Sequence, residues 1–135
     1  MRRVAIESPF GGTTEEMERN TRYVRACMAD CLRRGEAPYA SHALYTLPGV
    51  LDDTVPAERT LGMAAGFEWA RHADARVVYT DLGITRGMAE GIDRALSMAQ
   101  PVEYREIGWT DFGPDMSDPA QNPDGFVIDD DEAQR

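Results

Sequence analysis

RRVAIESPFGGTTEEMERN (residues 2–20) decides the fold. Val4, Ala5 and Ile6 make a short apolar run that begins almost at the first residue. Ser8-Pro9-Phe10-Gly11-Gly12 breaks it with turn residues. Thr13 or Thr14 then caps a helix, and Glu15, Glu16 and Glu18 suit its positive end. Met17, Asn20, Val24, Cys27, Met28 and Cys31 recur at helical spacing up to Arg33-Arg34-Gly35, a stop signal. Buried strand, glycine turn and amphipathic helix are the first half of a βαβ unit.

The same alternation continues outward. Residues 37–41 read as a second strand, and 42–56 as a long irregular connection. A helix follows to about His72, with Thr54 as a cap, Pro56 near its start and Glu58 in its first turn. Gly62 and Gly66 let that helix approach a neighbour closely. ARVVYTDLGITRGM (residues 75–88) is a third strand with a loop into a helix capped by Thr85. Met88, Ile92, Ala95, Leu96 and Ala99 form the stripe of that helix. Val102–Arg105 is a fourth strand. The pattern predicts a doubly wound α/β fold, Rossmann-like or flavodoxin-like, with a mainly parallel sheet of four to five strands and helices on both faces.

Charge and composition narrow the function. The 135 residues carry a net charge of −10, with ordinary hydrophobic (42%) and charged (28%) fractions for one soluble domain. Residues 108–135 hold eight of the acids and one arginine, so they are expected to form a largely irregular acidic tail beyond a domain at 1–107. Trp109, Phe112 and Phe126-Val127-Ile128 are apolar exceptions suited to docking on the body or on a second subunit. The acid excess excludes a general nucleic-acid polymer or anionic-membrane partner. All 14 basic residues are arginines. Without lysine there is no Schiff base and no Gly-Lys-Ser/Thr phosphate loop. Arginines, backbone N–H groups and helix N-termini remain as phosphate handles. Cys27 and Cys31, one helical turn apart, read as core residues rather than metal ligands. No cofactor or metal is expected. No apolar run is long enough to span a membrane, and a reducing cytoplasm fits.

Ligands of such sheets sit beyond the carboxyl ends of the strands, where three segments meet. In the first, Ser8, Phe10, Gly11 and Gly12 precede a helix start and offer N–H groups to an anion. The second carries His42, Tyr45, Asp52, Asp53 and Arg59. It is longer than the usual ~4–6 residues and too apolar for simple disorder, so it reads as a covering or contact loop. His42 serves as a structural or a catalytic histidine, and the Asp52–Asp53 pair as a turn, a cap or a sugar-hydroxyl acceptor. In the third, Asp81 stands at a strand end, and Thr85, Arg86, Gly87 and Met88 converge on one anion at a helix N-terminus.

Ser8-Pro9-Phe10-Gly11-Gly12, Thr85-Arg86-Gly87-Met88 and Gln100-Pro101-Val102 together resemble the nucleoside 2-deoxyribosyltransferase superfamily, which includes nucleotide N-glycosidases. Residues 40–45, Leu51–Asp53 and Pro56–Arg59 resemble a small phage and bacterial branch of it. The resemblance spans about residues 2–107. It implies homo-oligomers that complete one another's pockets, and attack on an anomeric carbon by a helical glutamate. Four positions beyond Gly87, where that glutamate belongs, this chain has Gly91. Glu90 is one residue away, ~100° around the helix.

Two functions follow. The first is a binder of a nucleotide or a nucleotide-derived signal, such as a phage protein that sequesters a host immune signal. Arg22, Arg59 and Arg86 would meet phosphate, Phe10 or Tyr45 the base, and Asp52-Asp53 the ribose. The alternative is an enzyme that cleaves or transfers an N-glycosidic bond. Glu90 or Asp81 would be its nucleophile or base, and His42 or Tyr45 would help the leaving base.

Overall fold

A computed structural model describes residues 1–110 and 113–114. Four strands, β1 (Arg2–Glu7), β2 (Glu36–Tyr39), β3 (Ala75–Tyr79) and β4 (Val102–Arg105), form one parallel sheet in the order β2-β1-β3-β4. Trp109–Thr110 (β5) pairs antiparallel with Gly113–Pro114 (β6), apart from that sheet. The predicted α/β arrangement is the observed one.

Alternating strand residues divide the core between two faces. Val4, Ile6, Val77 and Tyr79 point to one face and pack on Tyr23, Val24, Cys27 and Cys31 of α1 (Thr14–Arg33). Val78 points to the other and meets Met88 and Ile92 of α4 (Arg86–Ser97). Each fully buried side chain of this size contributes roughly 1.5–3 kcal/mol. Both cysteines are buried core residues. Thr13 caps α1 in a reciprocal box with Glu16, and Thr85 caps α4 by accepting from the Met88 N–H at 3.3 Å.

A buried ion pair ties the two outer strands. Both guanidinium nitrogens of Arg105 hold Glu36, at 2.7 and 2.8 Å, and Tyr79 and Cys31 pack into the same network. Breaking such a pair costs about 3–5 kcal/mol, because the surviving charge has no water.

The sequence reading differs from the structure in the middle of the chain. The second strand begins at Glu36 and ends at Tyr39. The connection expected to be irregular starts with a short helix, α2 (Ser41–Leu44). Thr54 does not cap the next helix, α3 (Pro56–Ala70); its N–H and hydroxyl both bond Asp52, and Val55 occupies the cap position. Pro56 at the first turn compensates, since its missing N–H needs no acceptor. α2 and α3 meet closely: a Cβ on Gly66 would lie 2.8 Å from the Ser41 side chain, so only glycine fits there. Beyond β4, Trp109 stacks edge-on against Tyr23 with ring centroids 5.8 Å apart, so this residue packs on the body. Phe112 and Phe126-Val127-Ile128 lie outside the described residues.

Candidate functional site

At the carboxyl edge of the sheet lies a cleft of about 350 Å³. Four segments build it. The end of β1 contributes Glu7, Ser8 and Phe10. Tyr39, His42 and Tyr45 come from β2, α2 and the turn after it. α3 presents Met63, Gly66 and Phe67, with Asp53 and Arg59 near its start. The fourth wall is the N-terminus of α4, with Thr85, Arg86, Gly87 and Met88.

Ser8 is buried, and its Oγ lies 2.7 Å from His42 Nε2. Burial pulls His42 down to about 4, so the imidazole is neutral near pH 7. Phe10 packs edge-on against the same ring at 5.8 Å. Asp53 and Arg59 hold each other at 2.9 Å. Arg86 has no hydrogen-bond or ion-pair partner among the described residues. It is an exposed cation at a helix N-terminus, where the backbone also favours anions.

Several sequence candidates stand elsewhere. Asp81 does not line the cleft. Its carboxylate accepts from Tyr23 Oη (2.6 Å) and from the N–H groups of Ile107, Gly108 and Trp109 (2.9–3.1 Å). With both oxygens committed it anchors the chain after β4 and has no capacity left for a substrate. Glu90 faces solvent and pairs with Arg94 at 3.6 Å, in keeping with the rotation that separates it from position 91. Arg22 lies in a shallow hollow on α1 beside Glu18 and Arg25. Gly11 and Gly12 turn the chain with φ of +90° and +98°, and neither lines the cleft. Asp52 faces a neighbouring hollow, its carboxylate bonded to Thr54.

The residue that sequence reasoning missed is Glu7. Its side chain is 19% exposed, and Oε1 accepts from Arg76 at 2.8 Å. Arg76 is fully buried on β3 and also donates to the Gly91 carbonyl at 2.8 Å. A Cβ at position 91 would fall 2.5 Å from the Glu7 Cδ and 2.8 Å from Oε2. The carboxylate therefore occupies the space that Gly91 leaves empty. Burial pushes Glu7 up to about 7, against the opposing pull of Arg76. A signal was present in the sequence: an acid directly after three apolar strand residues, at the edge where ligands bind, and a glycine inside an otherwise good helix.

Fold and site define an α/β protein with a cleft at the carboxyl edge of a parallel sheet. The chain belongs to the family described as a domain of unknown function (DUF7768), whose model matches residues 2–105. In fold it is similar to the structure of a 2-deoxyribosyltransferase from the psychrotolerant bacterium Bacillus psychrosaccharolyticus. That match has a TM-score of 0.53 and 16% identity, covering 98% of this chain and 80% of the other. No curated protein matches the sequence. Among the described residues no helix is long and apolar enough to cross a membrane.

Proposed function

We propose that the cleft binds a nucleoside or nucleotide. The observation that carries this reading is the arrangement of its walls: apolar rings on one side, an arginine with no partner among the described residues at a helix N-terminus on the other, and a buried polar floor between them. Phe10 and Tyr45 suit a base, Ser8, His42 and Glu7 suit sugar hydroxyls, and Arg86 suits a 5′-phosphate. The resemblance in fold to a 2-deoxyribosyltransferase supports the ligand class.

Titration calorimetry with 2′-deoxynucleosides, ribonucleosides and their 5′-monophosphates tests it. Saturable binding is expected, and Arg86→Ala should weaken the monophosphates by roughly tenfold or more while sparing the nucleosides. Absence of binding by every compound would refute the reading. Capture without turnover, including the sequestering of a host signal, draws its support from the missing carboxylate at position 91. The Glu7 carboxylate beside Gly91 weakens that support. A shared-pocket homo-oligomer is part of the proposal, because α3 leaves Leu61 and Trp69 largely exposed, the latter beside the cleft residue Tyr39. A monomeric mass in solution would count against it.

A further inference from the structure

Among the described residues three carboxylates line the cleft, and they differ in what they are free to do. Asp53 is neutralised by Arg59, and Glu58 accepts from the Asp52 N–H at 3.3 Å. Glu7 alone reaches in from a strand end, and its side chain is as buried as that of Asp53. Only Oε1 is engaged, by Arg76; Oε2 has no hydrogen-bond partner among the described residues. The fit is specific on both sides. Arg76 is clamped between the Glu7 carboxylate and the Gly91 carbonyl, and Gly91 lacks the one atom that would push the carboxylate away. A buried arginine that fixes Oε1, and a helix hollowed at Gly91 to seat the carboxylate, leave Oε2 as a pre-organised proton acceptor.

Resting on the nucleoside reading above, we propose that Glu7 is the catalytic base of this cleft and activates a water that hydrolyses the N-glycosidic bond of the bound nucleoside. Oε2 takes one proton from the water. The water oxygen bonds the anomeric carbon as the carbon–nitrogen bond breaks, and that electron pair leaves with the base. The departing nitrogen gains a proton from solvent, and Glu7 returns its own to solvent. The products are free sugar and free base. Burial places the Glu7 carboxyl near 7, where a proton acceptor works best at neutral pH. It also makes Glu7 a weaker candidate for a permanently ionised nucleophile. The groups around it are Arg76 from β3, neutral His42 from α2, Arg86 from α4, and the Asp53–Arg59 pair with Glu58 at the mouth.

The test uses the full chain and the common ribonucleosides, 2′-deoxynucleosides and 5′-monophosphates, with free base read by chromatography. Release from the compounds that bind is expected, rising with pH through about 7 as Glu7 ionises. Glu7→Gln keeps the shape and an acceptor for Arg76. It should still bind but release base on the order of 100-fold more slowly, with that pH step gone. Glu90→Gln, outside the cleft, should match wild type. Adding a different free base should yield no exchanged nucleoside. Exchange would reveal a glycosyl–enzyme ester and overturn the base role. Ligand bound and returned intact would overturn hydrolysis while leaving the binding reading in place, and absence of binding would remove both.

Discussion

Glu7 and Asp81 are both acids at the carboxyl edge of the same sheet, one ending β1 and the other just beyond β3. Asp81 spends both oxygens on the protein, taking the Tyr23 hydroxyl and three consecutive backbone N–H groups. Glu7 spends one oxygen on one arginine and turns the rest of its carboxylate to the cleft. The two acids stand near one edge of the sheet, and their hydrogen bonding is opposite. Unspent hydrogen-bonding capacity, rather than a place at the ligand edge, separates a functional carboxylate from a structural one.

The comparison breaks most visibly in stability. Asp81→Ala leaves four donors around residues 107–109 and Tyr23 without their acceptor. It should cost on the order of 4 kcal/mol in urea unfolding, whereas Glu7→Gln should cost less than ~1 kcal/mol. Equal costs would dissolve the distinction. Next in size is Gly91→Ala, whose Cβ collides with the Glu7 carboxylate and should cost about 1–3 kcal/mol. In a Glu7→Ala background the same change should cost much less, and a double-mutant cycle reads that coupling.

The pH dependence of melting sharpens the contrast further. Folded Glu7 holds its proton up to about 7, above its ordinary 4.5, so the folded state binds more protons between those values. Its contribution is therefore complete at low pH and is lost as pH rises through that window. Wild type should lose melting temperature relative to Glu7→Gln between pH 5 and 8. His42 acts with the opposite sign: held at about 4 against an ordinary 6.5, it favours the folded state increasingly as pH rises from 4 to 6.5. The smallest effects lie on α4. Thr85→Ala removes a helix cap and should cost about 1 kcal/mol, and Glu90→Gln on the exposed face should stay within ~0.5 kcal/mol.

The sequence announced the sheet because strand, turn and helix signals are local. Val4–Ile6, the Gly11-Gly12 turn and the Thr13 cap need no distant partner to be recognised. That Ser8, His42, Arg86 and Met88 meet along one cleft was legible for a related reason: the fold fixes which loops come together at the carboxyl edge. Glu7 was passed over, and Asp81 was placed at the ligand edge, because their contacts rest on residues far away in the chain. Glu7 depends on Arg76 and Gly91, and Asp81 on Ile107–Trp109. Met63 and Phe67 escaped notice as well, since α3 is apolar on more than one face and its period does not say which stripe lines a cleft.

A crystal structure of the protein grown with a 2′-deoxynucleoside 5′-monophosphate is the most direct measurement. Expected is the sugar on the floor of the cleft, within about 3 Å of Glu7 or of a water that Glu7 holds, with the phosphate at Arg86. A ligand seated at Arg22 or against Asp81, with the cleft empty, would contradict the account.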